Sequence, residues 1–182
     1  MDVRTAQWDV RQAFLGGAVG QTVAGLLWLG SAALGTWRRP GPAIVLLVVG
    51  GMFIFPLTRL GLALLGGRGR MRPENPFGEL GWQVAFTLPL CLPVVGAATL
   101  YRLDWFYPAF MIVLGAHYLP FAFLYGMRMF IALCALLVGG GFVIGWQGLG
   151  GFALGAWVTG ALLLAFAALG LVLVRREALG GG

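Results

Sequence analysis

Residues 106–146 decide the fold, and they read FYPAFMIVLGAHYLPFAFLYGMRMFIALCALLVGGGFVIGW. Two apolar runs cover 106–125 and 127–146 of this stretch. Each has about the 20 residues that an α-helix needs to cross a bilayer. Only the turn at Gly126–Arg128 separates the two runs. This pattern predicts two transmembrane helices that are joined as a tight antiparallel hairpin.

Apolar runs on both sides of this hairpin extend the prediction to six membrane spans in one domain. Val3, Ala6, Val10 and Phe14 follow the three- and four-residue spacing of one helical face, which predicts an interfacial helix over 1–12. The fold class is therefore an all-α bundle of six transmembrane helices. The predicted spans cover residues 13–36, 43–66, 79–100, 106–125, 127–146 and 150–174.

The composition excludes a soluble domain. Hydrophobic residues make up 60% of the 182 residues and charged residues only 10%, whereas a soluble domain has about 25% charged residues. After six spans of about 20 residues each, too little chain is left for a domain outside the membrane. We therefore expect a single transmembrane domain over 1–182.

All 12 basic residues are arginines, and most of them lie at the ends of the apolar runs. The side that carries the N-terminus holds eight arginines against three on the other side, and Arg59 lies within a span. By the positive-inside rule, both termini are predicted to be cytoplasmic. The same rule explains the net charge of +6 without a nucleic acid as partner.

Two polar residues in the second and third spans are candidates for a binding site. Arg59 lies inside a span, where a charge is costly and often functional. It could face a cavity, but its long side chain could also reach the nearby headgroups. In the third span, Gln83 is the polar residue that we expect to face the bundle interior.

A second group of candidates lies on the hairpin, in the stretch that holds the single histidine. Pro120 removes a backbone hydrogen bond, so the fourth span is predicted to be broken, as in many transport sites. His117, Tyr118, Tyr125 and Arg128 surround this position. The alternatives are that the histidine is an ordinary interhelical donor and that the tyrosines belong to the interfacial aromatic belt.

Glycines within the spans predict close helix packing. Three pairs have the GxxxG spacing that lets helix backbones approach in lipid: Gly16 and Gly20, Gly141 and Gly145, and Gly151 and Gly155. These pairs could pack helices of one chain, or they could form the contact of a homodimer.

Several kinds of chemical group are absent from the spans, and their absence argues against some classes of function. No acidic residue lies in the middle of a span, which argues against ion-coupled transport. Ser31 is the only serine, and Cys91 and Cys134 are isolated in apolar runs, so neither a hydrolase triad nor a metal site is expected. We predict no cofactor and no enzymatic activity. A membrane-embedded enzyme that acts on a lipid is an alternative, and Tyr101, Arg102 and Asp104 are its only candidates on the outer face.

Three motifs carry a resemblance to a known family: GGMFIFPLTRLG (50–61), ENPFG (74–78) and GAHYLPFAFLYGMRMF (115–130). Together they resemble a family of small, uncharacterised bacterial membrane proteins with six spans. The resemblance covers most of residues 1–147. It implies a compact helical bundle in the bacterial inner membrane, and it implies no activity.

The leading hypothesis is a channel or transporter for a small neutral or anionic solute, with its site near Arg59, Gln83, His117, Tyr118, Tyr125 and Arg128. The alternative is a non-transporting scaffold or partner subunit that acts through helix association. The expected partners are membrane lipid, a small solute and a second copy of the chain.

Overall fold

The computed structural model describes residues 1–180, and in this range the chain is all-helical. Eight α-helices follow one another, and short 3₁₀ turns lie at Leu15–Gly17 and Leu103–Trp105. The helices are α1 (Val3–Phe14), α2 (Ala18–Trp37), α3 (Pro40–Gly51), α4 (Ile54–Leu64), α5 (Phe77–Tyr101), α6 (Phe106–Leu124), α7 (Met129–Gln147) and α8 (Leu154–Gly180).

Five helical segments within residues 1–180 are long and apolar enough to cross a membrane. The first of these joins α1 to α2, and the others are α5, α6, α7 and α8. The pair α3 and α4 gives a sixth span if the two helices are counted together. The protein is therefore a multi-pass membrane protein.

The second span is bent, although the sequence predicts one run over 43–66. The axes of α3 and α4 differ by 59°, and the break lies at Met52 and Phe53. Pro56 explains the position, because its ring would clash with the carbonyl of Met52 in a continuous helix. By contrast, α6 continues through Pro120 without a break, so the broken span is the second and not the fourth.

Glycine pairs bring α2 and α8 into backbone contact. A Cβ on Gly25 would lie 3.2 Å from the carbonyl oxygen of Gly160, and a Cβ on Gly160 would lie 3.0 Å from that of Gly25. Gly16 and Gly170 repeat this arrangement, with 3.0 Å in both directions. Since any side chain at these four positions would collide with backbone, only glycine allows the antiparallel helices to approach so closely.

The hairpin that the sequence predicts is formed by α6 and α7, and residues 125–128 connect them. Gly126 has a positive φ of 63° at the turn, which glycine adopts without strain. Gly141 and Gly145 of α7 approach α6 near Pro108. These two glycines thus pack helices of the same chain.

The core between α2, α3 and α6 is aromatic and contains one polar link. Trp28 packs against Phe110 with 5.1 Å between the ring centroids. The Ser31 hydroxyl donates to the carbonyl of Ala43 at 2.7 Å and lies 2.6 Å from the hydroxyl of Tyr107. Both hydroxyl groups therefore have hydrogen-bond partners inside the bundle.

The least buried span is α5, which packs mainly on α6. Leu100 is 91% exposed and Leu90 is 75% exposed on its outer side. Exposed leucines of this kind suit a helix that faces hydrocarbon rather than water.

We predict that Gly160→Ala destabilises the bundle. The new methyl group would meet Leu29 Cγ at 2.6 Å and the Gly25 carbonyl oxygen at 3.0 Å. Overpacking of this kind costs about 1–3 kcal/mol. The unfolding midpoint in detergent should fall.

Gly139→Ala is the matched control, because a Cβ at Gly139 of α7 meets nothing within 4 Å. Alanine favours a helix over glycine by up to about 1 kcal/mol, so this variant should keep or raise the midpoint. Equal midpoints for the two variants would contradict the proposed role of the contact between α2 and α8.

Candidate functional site

Three of the six residues predicted for the site lie on the outside of the bundle. Arg59 of α4 is exposed, and its guanidinium carbon lies 6.0 Å from the ring centroid of Phe55. Gln83 of α5 and Arg128 of the turn between α6 and α7 are also exposed. These three side chains lie on different elements.

The other three predicted residues come together in an aromatic cluster with Phe121 and Phe130. His117 lies 5.8 Å from Tyr118 and 5.1 Å from Phe121 between ring centroids. Tyr118 and Tyr125 lie on Phe130 at 6.1 and 5.2 Å. The hairpin sequence therefore marks a buried aromatic cluster at the end of α6 and the start of α7.

Gln21 of α2 is a buried polar residue that the sequence analysis missed. Its side chain is 2% exposed, and neither its amide nitrogen nor its amide oxygen has a hydrogen-bond partner. The feature of the sequence that could have identified it is a carboxamide within an otherwise apolar run. Because a helix in lipid offers no water to such a group, the amide is costly where it lies.

The position of Gln21 along α2 places it between two contacts with the hairpin. One turn before it, a Cβ on Gly17 would lie 3.8 Å from the hydroxyl oxygen of Tyr125. Two turns after it, Trp28 packs against Phe110 of α6. Trp28, seven residues on, shares a helical face with Gln21. Gly25, four residues on, is on the same face and lies against Gly160 of α8, so Gln21 is on the side of α2 that is turned towards α6 and α8.

Three more buried polar groups within residues 1–180 have no partner: one is the Nε2 atom of Gln12 in α1, and the other two lie in helices beside α2. The Thr58 hydroxyl of α4 is buried without a hydrogen bond, and it lies 3.6 Å from the Cβ position of Gly20, next to Gln21. The Nδ1 atom of His117 on α6 is also buried and unpartnered. We call Gln21, Thr58 and His117 the buried polar set.

A different kind of polar cluster surrounds Asp9 of α1. Asp9 is fully buried, although it is a charged residue in the helix that the sequence predicts to be interfacial. Its carboxylate accepts from Arg68 Nη2 at 2.6 Å, from the Arg72 backbone amide at 2.9 Å and from Asn75 Nδ2 at 2.9 Å. The cluster holds α1 against the loop between α4 and α5, a long-range contact that helical spacing does not reveal.

Further bonds hold α1 across the same end of the bundle. Gln7 Nε2 donates to the carbonyl of Phe123 at 2.7 Å. Arg11 donates from Nη1 to the carbonyl of Tyr125 at 2.6 Å and from Nε to Glu177 at 3.0 Å. Since Arg11 lies in α1 and Glu177 in the last turns of α8, both are at one end, which we call the terminal end.

A pocket of about 300 Å³ opens at the terminal end. Neither this pocket nor a second one of about 30 Å³ at the opposite end is lined by Arg59, Gln83 or the buried polar set. At the opposite end, Arg102 Nε donates to Asp104 at 3.1 Å, and the two residues form an ion pair. The lining of the larger pocket consists of Arg11, Gly126, Met127, Arg128, Met129, Leu173 and Glu177.

Metal ligands do not gather within the described residues 1–180, where no group of three or more histidine, cysteine or acidic side chains is found. Cys91 and Cys134 are both free thiols. The candidate chemistry is thus hydrogen bonding and charge.

A model of a protein family matches residues 3–174 of this multi-pass helical chain, and its description is "Family of unknown function (DUF7010)". The chain belongs to this family. Comparisons with curated proteins and with solved structures give no match. Nothing in the family match indicates enzymatic activity, so the function has to be argued from the geometry.

We predict that Asp9→Asn loosens the terminal end. The substitution removes the charge that Arg68 and Arg72 share, and a buried charged hydrogen bond contributes about 1.5–3 kcal/mol. The loop between α4 and α5 should then become a better trypsin substrate, with faster cleavage after Arg68 or Arg70, whereas Pro73 protects the bond after Arg72. Limited proteolysis followed by mass spectrometry measures this.

Asp2→Asn is the control for the loss of one carboxylate. Asp2 caps α1, and hydrogen bonds from Thr5 keep its pKa below the ordinary value of 3.8, so it too is charged at neutral pH. Asparagine caps a helix equally well. Equal cleavage rates in the two variants would contradict the proposed role of the Asp9 cluster in holding the loop between α4 and α5.

Proposed function

We propose that the protein is a channel or transporter for a small solute, neutral or anionic. The observation that carries this proposal is Gln21, a carboxamide that is buried in a transmembrane helix without any hydrogen-bond partner. An unpaired buried amide costs about 1–3 kcal/mol. Polar groups retained at this cost inside a membrane commonly belong to a solute pathway.

The buried polar set supports a solute that both donates and accepts hydrogen bonds. Gln21 offers two amide donors and a carbonyl acceptor, and Thr58 and His117 each add a group that can donate or accept. These residues come from α2, α4 and α6. A small neutral molecule such as urea or glycerol that moved along a pathway between these helices would meet the three groups in turn.

In the described conformation this pathway is closed, because the unpartnered atoms of Gln21, Thr58 and His117 are fully buried. The short helix α4 is the element that we propose to move. It is separated from α3 by the 59° bend, and it meets α2 where a Cβ on Gly61 would lie 2.7 Å from Val19. Displacing α4 would uncover both Thr58 and the α2 surface beside Gln21.

The other residues that the sequence predicts for the site would lie along the same pathway. Arg59 follows Thr58 directly, and Gln83 precedes Val84, whose backbone lies beside His117. Both would lie near the mouth of a pathway that opened beside α4 and α5. Tyr118 and Tyr125 would form its aromatic wall, and Arg128 would favour anions at the terminal end.

The exposed apolar side of α5 supports the alternative, a scaffold or partner subunit without transport. This helix is the least buried of the spans, which leaves a long surface for a second copy or another membrane helix. Gly16, Gly141 and Gly145 already contact helices of the same chain, so a homodimer would use this outer surface instead of those GxxxG positions.

We also infer that the terminal end faces the cytoplasm of a bacterial inner membrane, because eight of the 12 arginines lie there in the sequence. A C-terminal fusion to green fluorescent protein should fluoresce in bacterial cells, and a fusion to alkaline phosphatase should be inactive. The reverse pattern would overturn this orientation.

The transport proposal is tested by flux into liposomes that contain the purified protein. Stopped-flow light scattering would follow urea and glycerol, and a fluorescent indicator would follow chloride. We expect Gln21→Leu to reduce the protein-dependent permeability for at least one solute by about tenfold or more, because a lost hydrogen bond of about 1.4 kcal/mol corresponds to a factor of ten. The same variant should raise the unfolding midpoint, since leucine removes an unpaired amide.

Gln147→Leu is the matched control, because Gln147 is exposed at the end of α7 and the chemical change is the same. Its permeability should equal that of the wild type. If the wild type and Gln21→Leu were equally permeable, Gln21 would have no part in transport. If no solute crossed faster than in liposomes without protein, the scaffold alternative would be favoured.

A further inference from the structure

We propose that the pocket at the terminal end binds a phosphate group, and that its natural ligand is an anionic phospholipid headgroup or a free phosphate ion. The pocket has a volume of about 300 Å³ and lies between α1, the turn between α6 and α7, and the end of α8. This site is separate from the buried polar set, which lines no part of it.

The charge on the pocket wall favours an anion. Two guanidinium groups, of Arg11 and Arg128, face one carboxylate, that of Glu177. Arg11 already binds Glu177 and the Tyr125 carbonyl through two of its nitrogens. Among the described residues, Arg128 makes no ion pair. Its guanidinium is exposed, so its whole set of donors is available.

Backbone geometry at the turn adds to this charge. Arg128 immediately precedes α7, a helix of 19 residues whose first turn has no side-chain cap. The amides of Phe130 and Ile131 donate to the carbonyls of Met127 and Arg128 within the turn, whereas those of Arg128 and Met129 make no backbone hydrogen bond within the described residues. Free amides and the dipole at a helix start attract phosphate groups. Arginine is suited to the same ligand, because its planar donors match two phosphate oxygens at once.

Glycine keeps the pocket and α1 close together. A Cβ on Gly126 would lie 2.6 Å from Gln7 Oε1 and 3.1 Å from Arg11 Nη1. The φ of 63° at this residue also favours glycine. Arg11 and Arg128 are 117 positions apart in the chain. The turn at Gly126 brings both of them to the same pocket.

The remaining wall is apolar, which suits a lipid better than a small ion. Leu173, Met127 and Met129 line this part of the pocket. The pocket lies at the ends of the spans α7 and α8, which is where we expect the lipid headgroups. Basic pockets between transmembrane helices at this depth bind anionic headgroups.

The experiment measures thermal unfolding of the full chain in neutral detergent, followed by tryptophan fluorescence. The probes are phosphatidylglycerol, phosphatidylcholine and inorganic phosphate, each titrated separately. We expect phosphatidylglycerol to raise the midpoint in a saturable way and phosphatidylcholine to do so far less. Arg128→Gln should weaken the apparent affinity for phosphatidylglycerol by about tenfold, and Arg128→Lys should weaken it less.

Arg38→Gln is the control, since Arg38 is an exposed arginine that follows α2 and does not line the pocket. It should respond to each probe as the wild type does. Saturation by inorganic phosphate alone, with the same dependence on Arg128, would support the site and identify the free ion as its ligand. Responses that are the same in Arg128→Gln and in the wild type for every probe would overturn the proposal.

Discussion

The rest of the structure depends on the backbone contact between α2 and α8. In lipid, apolar side chains gain little by leaving hydrocarbon for a helix interface, so close approach has to supply the packing energy. The pairs Gly25 with Gly160 and Gly16 with Gly170 provide it at two levels, because each glycine lies against the partner's backbone. The second pair also fixes the terminal end, and there α1 meets the last turns of α8 through Arg11 and Glu177.

This contact also fixes the position of Gln21. The residue lies between Gly16, in the 3₁₀ turn before α2, and Gly25 of α2, so moving it out of the bundle would disturb one of the glycine contacts. The Asp9 cluster shows the opposite case, because its carboxylate is equally buried but has three hydrogen-bond donors. The protein thus satisfies its buried charge at the bundle end and leaves an amide unsatisfied inside the bundle. That difference is the physical basis for placing the solute pathway at Gln21.

The two proposed sites differ in the conformational change that ligand binding would require. The pocket near Arg128 is already open and needs no movement of helices. The buried polar set is closed off from solvent, and in our proposal it opens only when α4 of the bent span is displaced. Pro56 causes the bend. Because α4 has only 11 residues, few groups hold it in place. A short helix beside a break is the element of this bundle that can move at least cost.

The helical, membrane-embedded character of the chain could be derived from the sequence alone, because an uninterrupted apolar run of 20 residues has few other stable structures. The hairpin at Gly126–Arg128 followed from the same patterning, and so did the choice of His117, Tyr118 and Tyr125, which lie near one another in the sequence. The burial of Asp9, the bend in the second span and the isolation of Gln21 were not predicted. Each depends on which helices become neighbours. Hydropathy reports only how each residue partitions between water and lipid, whereas neighbours are chosen by backbone contacts such as Gly25 with Gly160, between residues far apart in the chain.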